Sequence, residues 1–465
     1  MRLQEPKETV SFTFEGEKLE GVPGEPIAVA LLANKIYRLS HSASGRKRGA
    51  FYIGPAPVEV NGRKRVNPLF KPLEAGMTIK RGHMLEFDQE PYTSRETIER
   101  KYYEVLIIGA GPAGIGAAEE LKDIPHAIIE RNPYIGGWAK LREHELASKT
   151  VSSDLYLSTT ALGIFYKGEY VLVPAVQGDK LIEFYAKRVV LATGSVAATA
   201  VFENNDMPGI FRVDRALEVI TRRKVKPGEK VILTGKKPEI IEGILKKYKI
   251  DYEYVPQIKR VEGSESVEKV YDFDGKTYEA DAVIVSEGRY PDINPITQAG
   301  GKVMFRNGYF EPVVKDFSIN EFVFVAGSAY RIFKDHRSSY YHGRAVGGYV
   351  LKSLGYDADP EKYLERVGEY EVYELGRIPD VNPEESFVCG CDVSVKKIRD
   401  VIRLGYTELQ IIKRLTHVAM GFCQGRYCLM HTVRLLHQET GKDPNEMDIP
   451  SGRPPLRPVK MGIVR

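Results

Sequence analysis

Cysteine is almost absent from this sequence: 465 residues carry four, and Cys389, Cys391, Cys423 and Cys428 all fall within one forty-residue stretch. In a reducing cytoplasm, cysteines clustered in this way serve more often as metal ligands or redox groups than as structural disulfides. Long apolar runs are missing too. No stretch approaches the roughly 18 to 20 apolar residues of a membrane span, and the start, MRLQEPKETV, is charged and has no apolar signal core. No transmembrane segment and a cytoplasmic location are expected. Neither sign of charge dominates: 67 basic and 63 acidic residues are mixed along the chain for a net +4, which argues against nucleic acid or a membrane surface as partner. Small molecules and other proteins are expected instead. Glutamine is scarce, and 28% of the residues are charged, a composition that leans toward a thermophile. No catalytic nucleophile or acid-base pair stands out; His336, His342, His417 and His431 read individually as surface or packing residues.

The length suits about two to four domains. Residues 1 to 88 alternate short β-like runs (VSFTFEG, AFYIG, PVEVNG) with Gly/Pro turns and one apolar helical stretch, PIAVALLAN, and read as a small α+β unit. A polar segment, DQEPYTSRETIERK, reads as a linker or surface helix. YYEVLIIGAGPAGIGAAEELKDIPHAIIERN then has the order of a βαβ unit: buried strand, glycine turn, small-residue helix, second strand. A second strand-turn-helix unit, KVILTGKKPEIIEGILKKY, lies at 230 to 248, followed by the strands DAVIVSEG and EFVFVAGS. No short-period repeat is present. From about 380 the pattern is helical around the cysteines, and it ends in a Pro/Arg-rich tail, SGRPPLRPVKMGIVR.

Gly109, Gly111 and Gly114 follow the strand VLIIG and open a helix. The first permits the tight turn, the second lets backbone approach a pyrophosphate, and the third allows close helix packing. The helix N-terminus faces the phosphates. Glu130 ends the next strand, where a carboxylate can accept hydrogen bonds from a ribose diol. Gly136, Gly137 and the run Ala192 to Gly194 complete the pattern for an adenine nucleotide; Pro112, Ala113, Arg131, Trp138, Thr193, Gly327 and Ser328 are counted with the site. These residues resemble the flavoprotein reductases of the thioredoxin reductase type over 103 to 350. The resemblance implies an α/β fold with two Rossmann-like domains: 103 to 205 with 280 to 350 for FAD, and 206 to 279 as an NAD(P)H-type insertion. Two features of that family are missing. The second unit has TGKKPEI in place of a glycine fingerprint, so NAD(P)H binding is not expected there. Ser328, in VFVAGSA, stands where the family places an aspartate on the flavin's ribityl chain. FAD is therefore expected with ATP or NAD as alternatives at the same site.

The cysteines are spaced Cys389-x-Cys391, thirty-one residues, then Cys423-x4-Cys428. Between them DVSVKKIRDVIRLG predicts an amphipathic helix stopped at Gly405, and TELQIIKRL predicts another, opened by a capping box of Thr407 and Gln410. The helical hairpin is expected to bring the two cysteine pairs together, with Gly421 and Gly425 leaving the second loop room to bend. Four thiolates suit zinc or iron-sulfur. The stretch from 385 to 440 resembles the bacterioferritin-associated-ferredoxin-like domain, which implies a 2Fe-2S cluster and a helical four-cysteine domain over 380 to 445, followed by the tail at 446 to 465.

At the front, GRKRGAFYIGPAPVEVNG resembles the plant-type ferredoxin loop of sarcosine oxidase α subunits. Tyr52, Pro57 and Val60 stand where thiolates would be, so a ferredoxin-like (β-grasp) domain without a cluster is expected over 1 to 88. The basic turn Arg46 to Arg48 suits a docking surface, but a solvated charged turn is the commoner reading. Nearly the whole chain resembles the α subunits of the dye-linked L-proline dehydrogenase, sarcosine oxidase and hydrogen cyanide synthase group, the archaeal proline dehydrogenases in particular. That resemblance implies an electron-relay subunit with no catalytic residues of its own, a partner β subunit that carries the catalytic FAD, FMN at the subunit interface, an external electron acceptor, and room for further small subunits. The proline-rich stretch Arg453 to Lys460 cannot form a helix, and in extended form with Arg453 and Arg457 exposed it suits lying along a neighbouring chain. The alternatives are a stand-alone NAD(P)H-dependent flavin reductase and a zinc-stabilised scaffold without catalysis.

Overall fold

The computed structural model describes residues 1 to 86 and 98 to 459. The N-terminal unit is a mixed sheet running Glu17–Gly21, Val10–Phe14, Thr78–His83, Ser40–His41, Lys47–Arg48, with the hairpin Val58–Val60 and Arg63–Val66 attached to Thr78–His83. The apolar run predicted as helical is the helix Ile27–Ala33, buried from Ile27 to Leu32 against this sheet. AFYIG is not a strand. Its residues form consecutive bends, because Tyr52 turns inward and exchanges hydrogen bonds with both backbone groups of Ala200, at 2.9 Å and 2.8 Å. Residues 88 to 97 of the expected linker lie outside the described residues, while Ile98 to Lys101 open the long strand Ile98–Ile108.

That strand is central to the second sheet, in the order Asp154–Tyr156, His126–Ile129, Ile98–Ile108, Lys180–Leu191, with Val323–Val325 parallel to Lys180–Leu191. Tyr170–Gln177 and shorter strands extend it as an antiparallel meander. The helices Pro112–Glu120 and His336–Ser353 pack closely through glycines. A Cβ on Gly116 would lie 2.2 Å from Tyr340 O, and one on Gly343 only 2.0 Å from Ala113 O. A four-stranded parallel sheet, Ile210–Arg212, Ala282–Val285, Val231–Thr234, Tyr252–Tyr254, forms the second nucleotide-type unit. Its core merges with that of the N-terminal unit, for example through Phe51 stacked on Phe211 with ring centroids 4.9 Å apart.

The cysteine region begins with a hairpin of Phe387–Cys389 and Val393–Ser394, followed by the helices Val395–Arg403, Leu409–Thr416 and Leu429–Thr440. The first stops as expected, with Gly405 at φ +93°. The expected capping box does not form. The N-cap is Glu408 and makes no side-chain cap bond, since the helix starts where Leu409 and Ile412 can be buried. Among the described residues no helix is long and apolar enough to cross a membrane.

Candidate functional site

Gly109 turns the chain at φ +109°, and a Cβ there would lie 2.4 Å from Ala192 O. Gly114 is packed harder, its Cβ position only 1.9 Å from Gly109 O. Gly111 differs from both: nothing lies within 4 Å of its Cβ position, and it is the N-cap of the helix that begins at Pro112. The helix's first N–H groups, which no helix can satisfy internally, face that open space. Gly194, at the end of the neighbouring strand, is equally open, and beside it Thr193 Oγ1 and Ser195 Oγ are buried without a partner among the described residues. A buried hydroxyl left unpaired costs about 1–3 kcal/mol, so Thr193 and Ser195 are suited to bond a polar group bound at this turn.

Glu130, 6% exposed, accepts from Ala110 N at 2.9 Å and from Asn132 N and Nδ2, both at 2.8 Å. These bonds fix the carboxylate beside the turn; Oε1 accepts both bonds from Asn132, and Oε2, which accepts from Ala110, keeps a second lone pair for a ribose hydroxyl. Arg131 next to it is exposed. Gly136 donates to Ala110 O at 2.7 Å, which brings Gly137 to a Cβ distance of 3.3 Å from Gly111 Cα. The Trp138 ring lies 4.9 Å from the Arg289 guanidinium. Gly327 is pressed against Ala113, where its Cβ would come within 2.4 Å of the alanine Cβ, and its N–H donates to His342 Nδ1 at 3.1 Å. Ser328 is half-buried in the short turn Gly327–Ala329. The glycine residues singled out in the sequence therefore surround one turn. His342 is fully enclosed, and burial, followed by Arg331, holds its pKa down to about 3, so it is a neutral acceptor that positions the Gly327 turn.

The second unit has no such opening. Gly235 N donates to Pro256 O at 3.1 Å and Lys237 N to Ser286 O at 2.9 Å, so both turn N–H groups are used internally. Lys237 Nζ pairs with Glu371 at 2.8 Å, and the segment carrying Glu371 also lays Tyr373 against Gly288 and Gly308.

The four cysteines are free and gathered together. The Cys391 N–H donates to Cys389 Sγ at 3.4 Å; the Cys389 thiol reaches those of Cys391 and Cys428, and Cys423 faces Cys391. Gly421 makes the room, since a Cβ there would lie 2.4 Å from Cys391 Sγ. The neighbouring Cys389 thiol first, then burial, pushes the Cys391 thiol well up; burial first, then Cys391, raises Cys423. Thiols crowded in this way cannot all ionise without a cation to balance them, which is the chemistry of a metal-binding donor set. A 2Fe-2S cluster divides its four sulfurs between two irons, and the residues present fit that group.

Several residues of this region had no motif to mark them. Asp292 joins the two sites: its N–H donates to Gly194 O at 3.1 Å, and its buried carboxylate accepts from Arg426 Nε at 2.9 Å and 3.0 Å. Arg426 in turn donates through Nη1 to Cys423 O at 2.9 Å. Thr199 binds His431 Nε2 at 2.8 Å, and the Arg212 guanidinium lies 4.4 Å from the Tyr427 ring centroid. Buried His336 and His431 are packing residues, and exposed His417 ends a helix in the left-handed conformation at φ +65°. Two expectations are overturned. Arg48 is not part of a solvated turn but 0% exposed. The tail does not lie free: Arg457 pairs with Asp292 at 2.9 Å, Leu456 is buried, and Arg453 N donates to Gln424 Oε1 at 2.8 Å. The described tail, to residue 459, bends at Pro454 to Arg457; Arg453 is exposed as expected, while the backbone N–H groups of Arg453 and Leu456 and the Arg457 side chain find their partners on the same chain.

A family model described as the sarcosine oxidase A3 domain matches residues 384–465, and one described as a 2Fe-2S iron-sulfur cluster binding domain matches residues 7–83. The latter match is one of fold without ligands, because no cysteine precedes Cys389. The sarcosine oxidase alpha chain of a Corynebacterium species is 24% identical over 97% of this chain and 56% of its own length. That of Rhizobium meliloti is 22% identical over 98% of this chain and 57% of its own length. The chain thus spans about half the length of these two relatives. The crystal structure of L-proline dehydrogenase from P. horikoshii is 49% identical, covers 100% of this chain with 99% of its own, and superposes with a TM-score of 0.95. With sequence, domain order and backbone all in agreement, the chain belongs to the L-proline dehydrogenase and sarcosine oxidase alpha-subunit family.

Proposed function

We propose that this chain is the electron-relay subunit of a flavin-dependent amino-acid dehydrogenase of the L-proline type. In this reading a catalytic FAD-containing β subunit oxidises the amino acid, FMN sits at the subunit interface, and electrons pass through a 2Fe-2S cluster in this chain to an acceptor. The observation that carries the reading is the bridge at Asp292, which holds the nucleotide turn through Gly194 and the second cysteine loop through Arg426. Nucleotide site and four-cysteine centre are thereby parts of one rigid construction.

When bound, the cluster supplies one-electron chemistry. The chain's own residues hold and insulate it. Cys389, Cys391, Cys423 and Cys428 are the ligands, and Arg426 and Arg457 on Asp292 fix the second loop. At the other site, the helix N-terminus at Gly111 to Gly114 takes the pyrophosphate or phosphates, Glu130 the ribose, and Thr193 and Ser195 further polar atoms. FAD, ATP and NAD share the adenylate half that these residues recognise. Leu415, Met420 and Phe422, which precede Cys423 in the chain, are exposed. Exposed large apolar side chains this close in sequence to the second cysteine pair support docking of the flavin-bearing partner near the cysteines.

Isolation of the complex from its native source tests the reading. Equimolar iron and sulfide in this chain, an iron-sulfur paramagnetic signal on reduction and a flavin-bearing partner are expected. Stoichiometric zinc without sulfide would favour the scaffold reading. If the isolated chain reduces a dye with L-proline as fast as the assembled complex does, the relay reading fails.

A further inference from the structure

The N-terminal unit has no cysteine, yet its loop at Gly54 is packed directly on the loop between Cys389 and Cys391. Gly54, at φ +80°, meets Gly390 so closely that a Cβ on Gly390 would lie 2.1 Å from Gly54 N. Gly390 is the residue between Cys389 and Cys391. Next to this contact, Arg48 is 0% exposed, pairs with Asp206, and donates through Nη2 to an oxygen of Asp392, the residue after Cys391. Ser44 N donates to the other oxygen of Asp392 at 3.0 Å. Arg46 completes the junction through Asp206 at 2.6 Å and Glu385 at 3.2 Å, with its guanidinium 4.5 Å from the Phe387 ring centroid. Arg48 Nε is buried with no partner among the described residues.

A fully buried guanidinium is costly unless its charge is used. Asp206 and Asp392 both pair with it, and because Asp392 directly follows Cys391 in the chain, the guanidinium is held beside the Cys389–Cys391 loop. We propose that Arg48 is a positioning residue for the four-cysteine centre: through Asp392 it locks the Cys389–Cys391 loop, and its charge stabilises the reduced state of the bound cluster. The N-terminal domain would then serve a cluster other than the one it lost. This inference rests on the 2Fe-2S reading above. One-electron reduction, by the flavin partner or by dithionite in the test, would take one ferric iron of a bound cluster to ferrous and make the cluster's net charge more negative by one. A fixed cation nearby favours that state, and a fixed anion opposes it.

The test is a redox titration of full-length wild-type chain, Arg48→Met, Arg48→Lys and Asp392→Asn, with iron and sulfide assayed and the reduced cluster followed by paramagnetic resonance. Arg48→Met should weaken reduction at least tenfold, about 59 mV downward for one electron. Arg48→Lys should restore most of the loss, and Asp392→Asn should move the midpoint upward. A merely structural role does not give shifts of opposite sign. A loaded Arg48→Met protein with the wild-type midpoint overturns the role of Arg48 while leaving the cluster reading intact. If Arg48→Met does not load, Asp392→Asn decides, and an unmoved midpoint there overturns the proposal. Wild-type protein without iron and sulfide overturns the cluster reading and this inference together.

Discussion

Gly111 and Gly114 are three residues apart, and the same substitution has opposite effects at the two. A methyl group on Gly111 points into open space, so Gly111→Ala should leave the melting temperature within a few degrees of wild type while obstructing the approach of a pyrophosphate. A methyl group on Gly114 would strike the backbone oxygen of Gly109 at 1.9 Å. Overpacking against backbone costs about 1–3 kcal/mol or more, so Gly114→Ala should lower the melting temperature clearly. Thermal denaturation together with chromatography of heat-released nucleotide separates the two. A Gly111→Ala protein that retains nucleotide at the wild-type level would show that the ligand does not approach this turn. Both glycines are legible in the sequence, because the motif is local. Thr193 is legible too, in the run Ala192 to Gly194, whereas Ser195 and His342 gain their places only from the strand and helix packed against the turn.

The paired nucleotide-type units illustrate how one element order can give two different surfaces. In the first, the helix starting at Pro112 directs its N-terminus at an open cleft. In the second, the turn N–H groups are bonded to Pro256 and Ser286, the helix Glu242–Lys247 is short, and Lys237 is tied to Glu371. NADH at micromolar concentration should therefore fail to reduce any flavin or cluster bound to the isolated chain, and Lys237→Gly should not confer that activity, since it restores neither the N–H groups nor the space. Stopped-flow absorbance reads the result, and rapid bleaching of wild type by NADH would contradict it. The sequence TGKKPEI already raised this expectation. The contribution of residues 371 to 373 was not legible, as they lie more than a hundred positions away and carry no motif.

At the scale of the molecule, the chain's two ends converge on the cysteines. The N-terminal domain covers the first pair through Arg48 and Gly54, and the tail supports the second through Arg457. Removing residues 451 to 465 takes Arg457 from Asp292 and Leu456 from its buried seat. Asp292 and Arg426 remain as a buried pair with one hydrogen-bonding partner fewer, and breaking such networks costs a few kcal/mol. The truncated chain should melt at lower temperature and lose iron from the Cys423 and Cys428 side, an effect visible without any partner subunit. Iron and sulfide assay with thermal denaturation checks this. A truncated chain with full iron and the wild-type melting temperature would show that the tail serves only in assembly.

The sequence by itself determined the features whose physics is local: the glycine turn with its strand and helix, the cysteine spacing, the absence of cysteine from the N-terminal unit, and the order of the domains. Dihedral preferences, helix periodicity and ligand chemistry act over a few residues, so they can be read along a line. Tertiary structure alone decided the fate of the charged segments. Arg48 and Arg457 look solvated in sequence because arginine usually is. Arg48 is fully buried and Arg457 half-buried because Asp392, Asp206 and Asp292, at distant positions, face them across domain contacts and offset the cost of taking charge out of water.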